Sequence, residues 1–380
     1  MPYFGWAPEV RAGAHIMAGF EGTSPPAQLL ERIQDGAVGN VILFAQNIES
    51  SEQTLELTHT LQRTAAKSPQ SEPLLISIDQ EGGRVNRLSE DFTSFPAARE
   101  FGQIGDSGLV SQCAHATAAE LRSSGINANF APVLDILTNP ACKVIGDRAY
   151  GDDLRLVSAM GAATIQGLQA GGVSAWAKHF PGIGDMAPDP HETLPFSGIF
   201  LDALRERELK PFRAAIDCRT GVAGIMSGHA VYEGIDPVHP ASHSPRIIEG
   251  LLRDELSYDG VVITDDLDMG AIENPAEGAL LSLKAGADIA LICHSEAAQE
   301  QAHREISHAI QHKELPPDAE ERSLRRIGSL KARYAGSCHQ VTGQGDIKVL
   351  QRARKKIVGC ATHRTLLDNV MHRVKNKNHT

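Results

Sequence analysis

Short apolar runs alternate with longer segments of helical periodicity along most of the chain. Eight runs have the length and branched-chain character of strands: His15–Phe20, Val38–Phe44, Leu74–Asp79, Asn127–Asp135, Val173–His179, Val222–His229, Gly260–Asp266 and Asp288–Cys293. Several are nearly continuous in apolar residues, such as VGNVILF, LLISID and GVVITD. That pattern predicts parallel strands covered on both faces rather than half-exposed antiparallel ones. Helical spacing predicts helices over Ser111–Ser123, Leu154–Ala170, Pro245–Leu256, Ala276–Ala285 and Glu296–Gln311, the second stopped by Gly171-Gly172.

Eight strands alternating with helices fit either a closed barrel or a doubly wound open sheet. The strand ends decide between them. Polar groups follow the C-terminal ends of many strands: Asp79-Gln80-Glu81, Asp135, Lys178-His179, His229 and Asp265-Asp266. In a barrel all of those ends converge on one mouth. In an open sheet only the strands beside the switch point would contribute. The expected fold is a single (β/α)₈ barrel over residues 1–340. Residues 341–380, rich in Lys, Arg and His, are expected to form a basic C-terminal helical extension ending in a frayed tail.

The charge balance narrows the partners. The 380 residues carry a formal net charge of −11. Nucleic-acid binders draw affinity from phosphate contacts and present a basic face, so no nucleic-acid partner is expected. No apolar run approaches the roughly 18 residues of a membrane span, and none is expected. The N-terminus lacks a charged region followed by a clean apolar stretch, which points to the cytoplasm. The 6 cysteines form no CxxC pair, so no zinc ribbon or redox motif is expected, and each is read as a reduced, buried thiol.

Three segments carry the candidate chemistry. In KHFPGIGDMAPDPHETLP, residues 178–195, a strand ends in Lys-His and a loop follows with Asp185, Asp189 and His191. An Asp two residues before a His can orient the imidazole, and imidazole gives and takes protons near neutrality. In GVVITDDLDMGA, residues 260–271, a strand delivers Asp265 and Asp266 to its end. A retaining glycosidase needs such a carboxylate to attack the anomeric carbon. Two acids capping a following helix would look the same. Consecutive strand residues face opposite ways, so the two acids are expected to differ in role. In LLISIDQEGGRVNRL, residues 74–88, Asp79, Arg84 and Arg87 could hydrogen-bond vicinal sugar hydroxyls, as could Arg148 of IGDRAYG.

Taken together, these segments resemble family 3 glycoside hydrolases, in the bacterial β-N-acetylhexosaminidase branch. The resemblance runs from about Ile16 to Ala335 and includes DQEGGRV, NFAPVLDI, IGDRAYG, KHFPGIGD with the following Asp-x-His, SGHAVY and TDDLDMGA, in family order. It implies Asp265 as nucleophile, His191 as general acid/base and Asp189 as its orienting partner. It implies sugar contacts from Asp79, Arg87, Arg148, Lys178 and His179. It also implies a lone barrel without the second α/β domain of many relatives, a monomer, no cofactor and no metal. The implied substrate is a small oligosaccharide or a muropeptide carrying terminal β-N-acetylglucosamine, as in peptidoglycan recycling. Two positions depart from the family pattern. Ile183 stands where a His is usual, and Pro190 stands inside the dyad in place of Ser. Three other readings stay open: a phosphorylase of the same sugar, a metal-dependent amidohydrolase using His179, Asp185, His191 and His229, and a catalytically dead sugar-binding barrel.

Overall fold

The computed structural model describes residues 5–186, 194–336 and 347–377. Asp189, Pro190 and His191 lie outside those residues.

Eight parallel strands close a barrel: β1 (Ile16–Ala18), β2 (Asn40–Leu43), β3 (Leu75–Ile78), β4 (Ala128–Asn129), β5 (Ser174–Phe180), β7 (Gly224–Ser227), β10 (Val261–Asp266) and β11 (Ile289–Ile292). Their order around the barrel is β1-β11-β10-β7-β5-β4-β3-β2, with β1 hydrogen-bonded to both β2 and β11. The eight expected runs each hold one barrel strand, so the fold is the (β/α)₈ barrel and not the open sheet. β4 is much shorter than the run that predicts it. Pro132 has no N–H for the ladder, so pairing lapses after Asn129 and resumes as a single bridge, Val133 to Lys178.

Helices surround the barrel. Those over Leu154–Ala170 and Glu296–Gln311 match the sequence expectation end to end, the first capped by Asp153 and the second by Ser295. Helices over Ser51–Ala65, Leu201–Glu206, Leu209–Asp217 and Pro317–Leu330 complete the wall. A small sheet at the mouth, β6 (Phe196–Ser197), β8 (Val231–Tyr232) and β9 (Asp236–Pro240), has no counterpart in the sequence expectation.

Side-chain alternation fills the barrel and builds the site in one stroke. Leu75 on β3, Ala128 on β4, Trp176 on β5, Met226 on β7, Val261 and Ile263 on β10, and Ile289 and Leu291 on β11 form one enclosed cluster inside the barrel. Ile327, Leu330 and Tyr334 close its lower end. The indole of Trp176 meets Phe130 edge-on at 5.5 Å and lies flat over Gly224. A Cβ at Gly224 would sit 2.1 Å from that ring, so only glycine fits. Continuing the same two-residue period to the strand ends turns Asp79, Lys178 and Asp265 inward at the mouth.

The C-terminal segment is helical, as expected, and one face of it is docked. Helices Ile347–Arg354 and Ala361–Lys377 pack on the barrel wall, with Val370 and Val374 buried in the main core. Glu120, 1% exposed in the last turn of helix Ser107–Ser123, explains the docking. Its carboxylate accepts from Thr93, from the backbone of Gly359 at 3.0 Å and from His363 at 2.7 Å. A buried carboxylate needs such partners, and half of them come from this segment. Among the described residues, no helix is long and apolar enough to cross a membrane.

Candidate active site

The inward strand ends line a cleft of about 770 Å³ at the mouth, with Asp79, Glu81, Arg87, Arg148, Lys178, His179 and Asp265 in its wall. That size lies within the range of small-molecule sites.

Its floor is a chain of alternating charges. Lys178, 2% exposed, places its ammonium 2.6 Å from Asp79 and 2.6 Å from Glu81. Glu81 in turn takes a two-pronged contact from Arg148, both bonds at 2.8 Å. Nη2 of Arg148, one of the two nitrogens on Glu81, also lies 3.4 Å from Nε2 of His179. Burial alone would push the Glu81 carboxyl up and the Lys178 and Arg148 cations down. Their mutual attraction reverses all three: Glu81 ends well below the usual carboxylate range, and Lys178 and Arg148 end above their ordinary values. Each group therefore stays charged at neutral pH.

This lattice makes the first prediction. Glu81→Gln leaves two buried cations short of one counter-charge and should lower stability by about 3 kcal/mol at neutral pH. The sign with pH follows from the direction of the shift. A depressed folded-state pKa contributes stability that is complete above the ordinary glutamate value and is lost as pH falls through it towards the folded value. The gap between the two proteins in urea unfolding should therefore narrow from about pH 7 to about pH 3. A gap that widens on acidification would contradict the lattice.

Asp265 stands at the inward end of β10, in an environment that the sequence leaves hidden. Its carboxylate lies 3.9 Å from Nε2 of His179 and accepts the backbone N–H of Asp266 at 2.9 Å. Burial pushes its pKa up, but His179, His229 and Lys178 outweigh that, and the group is held below its ordinary value. Asp265 is thus an anion aimed into the cleft. Asp266 takes a different role, as the alternation predicts. Its side chain accepts the backbone N–H groups of Asp268 and Cys293, both at 3.0 Å, and so fixes the turn after β10.

Four contributors went unassigned by sequence reasoning. Asp135, fully buried, accepts from Nδ1 of His179 at 2.7 Å and from the backbone N–H of Ile183 at 2.8 Å. It fixes the ring so that Nε2 faces Arg148 and Asp265. It also answers how the loop is held without the usual His: Ile183 contributes its backbone to Asp135 and is itself buried, 3% exposed. Glu81 follows Asp79 in the turn but was given no role. Phe44 and His294 stack at the rim with centroids 5.5 Å apart, and the Arg87 guanidinium lies 5.6 Å from the Phe44 ring. Buried Nε of Arg87 has no hydrogen-bond partner among the described residues, leaving a donor at the cleft wall. Arg84 does not join them. It bonds Asp147 and three backbone carbonyls of residues 143–145, and so anchors the loop that carries Arg148.

The amidohydrolase reading loses a ligand. Nδ1 of His229 is bonded to Ser242 at 2.8 Å, and Nε2 to the carbonyl of Asp266 at 3.1 Å. Neither nitrogen is turned towards a metal shared with His179, whose Nδ1 is committed to Asp135. Among the described residues no three His, Cys, Asp or Glu side chains are grouped as a metal ion requires.

Known proteins share this fold and much of this sequence. A β-hexosaminidase of Methylobacillus flagellatus is 38% identical over 288 residues, covering 73% of this chain and 80% of its own length. A glycoside hydrolase family 3 β-N-acetylglucosaminidase from Paenibacillus superposes with a TM-score of 0.88 at 37% identity, over 96% of this chain and 68% of that one. NagZ from Neisseria gonorrhoeae, solved with N-trifluoroacetyl-D-glucosamine, superposes with a TM-score of 0.74 at 29% identity, over 95% and 98% of the two chains. The glycosyl hydrolase family 3 N-terminal domain matches residues 15–330. With that domain spanning most of its length, the chain belongs to glycosyl hydrolase family 3.

Proposed function

We propose that this glycoside hydrolase is a retaining, exo-acting β-N-acetylhexosaminidase that releases terminal β-N-acetylglucosamine by double displacement. The observation that carries the reading is Asp265: an inward-facing carboxylate at a strand end, kept ionised by the surrounding cations and imidazoles. In the first step its oxygen attacks the anomeric carbon. The bond to the leaving oxygen breaks as the His191 imidazolium gives that oxygen a proton. A glycosyl ester of Asp265 forms. Neutral His191 then takes a proton from water, whose oxygen attacks the same carbon, and Asp265 recovers its electron pair. Asp189 orients His191. Both roles rest on the sequence motif. Asp79, Arg87, Arg148, Lys178 and His179 bind the sugar hydroxyls, with Lys178 and Arg148 holding the acids at fixed spacing.

The substrate class we assign is muropeptides or chitooligosaccharides, handled by a cytoplasmic monomer in peptidoglycan recycling. The five described cysteines are all free thiols, which suits a reducing compartment.

A panel of aryl glycosides tests the proposal. The N-acetylglucosaminide should be turned over with kcat/KM on the order of 10²-fold or more above the glucoside and xyloside, because a site built around a polar substituent rejects analogues that lack it. Equal rates on the glucoside would defeat the assignment. The same panel run with phosphate separates the phosphorylase, which would release sugar 1-phosphate in place of free sugar. No turnover of any aryl glycoside would leave the sugar-binding barrel as the reading.

A further inference from the structure

Beside the cleft, three acids crowd under the turn that follows β5. Asp135 holds His179 and Ile183 as described. Asp185 accepts from Ser197 at 3.5 Å, and its backbone carbonyl accepts from Asn139 at 3.0 Å. Glu208 is 1% exposed and packs against Gly182, where a Cβ would meet its side chain at 3.1 Å. One guanidinium serves two of the three. Arg207 donates to Glu208 at 2.5 Å and lies 3.6 Å from Asp185. The second Glu208 oxygen is buried and has no hydrogen-bond partner among the described residues. Burial, reinforced by the charges of Asp185 and Asp135, pushes the Glu208 pKa up to about 7 despite Arg207. Such a carboxyl is costly to bury, and its hydrogen-bonded use among the described residues is to hold Arg207.

The geometry also says what Arg207 holds. Asp185 and Ser197 flank residues 187–193 on either side. Gly182, on the first flank, accepts from the hydroxyl of Tyr232 at 2.6 Å, and Ser197, on the second, is paired with Tyr232 across β6 and β8. Both flanks thus meet on one strand, and Asp185 ties them again from the side. Asp189 and His191 fall between these two fixed ends in sequence.

We propose that Arg207 and Glu208 are positioning residues for proton transfer: Glu208 fixes the guanidinium, the guanidinium fixes Asp185, and Asp185 sets the spacing of the two chain ends that carry the acid/base segment. The inference rests on the reading of His191 as proton donor, and it makes two residues of the helical wall, outside the sugar cleft, part of the proton-transfer apparatus. They act without touching substrate, by restricting where the donor can be.

The test compares two substrates of one sugar: the dinitrophenyl N-acetylglucosaminide, whose leaving group needs no proton, and chitobiose, whose leaving group does. Full acid catalysis contributes about 10²–10⁴ in rate. Arg207→Met should forfeit part of that, losing roughly tenfold to a hundredfold in kcat/KM, which reports the glycosylation step, on chitobiose and less than about threefold in kcat/KM on the dinitrophenyl substrate. Arg207→Lys should recover most of the loss. Glu208→Gln should shift the same ratio in the same direction by a smaller factor, and it keeps the buried volume should Arg207→Met fold poorly. Equal losses on both substrates, or no loss on either, would overturn the proposal. His191→Ala measured in parallel keeps the two readings apart. If it discriminates between leaving groups and the Arg207 and Glu208 variants do not, the brace fails and the acid/base assignment stands. If the Arg207 variant discriminates and His191→Ala does not, the brace stands and the proton donor is another residue of the same segment.

Discussion

Asp265→Ala is expected to lower kcat/KM by on the order of 10⁴-fold or more, for good and poor leaving groups alike. The reason is that no other described group can take its place. Asp79 and Glu81 are locked onto Lys178 and Arg148. One carboxylate oxygen of Asp266 is held by the backbone N–H groups of Asp268 and Cys293, and the other lies 3.6 Å from Nε2 of His294 at the rim. Asp135 is buried behind His179. Binding should suffer far less, because the sugar-contacting groups and their charge lattice remain. The measurement is kcat/KM across an aryl N-acetylglucosaminide series, with Kd for N-acetylglucosamine measured beside it. A loss below tenfold, or one confined to poor leaving groups, would remove Asp265 from the nucleophile role.

His191→Ala should produce a different pattern. It removes protonation of the leaving oxygen, worth about 10²–10⁴ in rate on an unactivated disaccharide. The dinitrophenyl glycoside should form the glycosyl ester of Asp265 almost as fast as before. Deglycosylation still requires a base to activate water, so the ester should accumulate and product should appear in a burst. Azide is an anionic nucleophile that needs no base. It should attack the anomeric carbon, expel the Asp265 carboxylate and yield the β-azide, restoring turnover. Uniform loss on both kinds of substrate, with neither burst nor azide product, would make His191 structural and turn attention to Asp185 and Glu192.

The barrel was legible because its physics is local. Buried parallel strands must be apolar runs, and their two-residue period carries Asp79, Lys178 and Asp265 to the same side as the core residues below them. The charge partners were not legible. Glu81 and Asp135 matter through contacts with Arg148, 67 residues away in sequence, and His179, 44 away, and no local pattern records such a distance. The short helices of the wall escaped because Leu201–Glu206 and Leu209–Asp217 span too few turns for a period to emerge. The basic C-terminal segment suggested solvent exposure. Its docking depends on a carboxylate, Glu120, that looks in sequence like any exposed helix acid.

Glu120 has a further consequence for how the molecule comes apart. Arg354 reaches Ser51, His363 reaches Glu120, and Arg373 lies 2.7 Å from Asp106, so the final helices lie like a buckled strap across the outer helices that follow β2 and β3. Those helices cannot swing away from the barrel until the strap lets go, and letting go takes from the buried Glu120 carboxylate its bonds from Gly359 and His363. Local opening on that side of the molecule is therefore coupled to the release of helices Ile347–Arg354 and Ala361–Lys377, whereas the turn after β5 is restrained by its own nearby contacts.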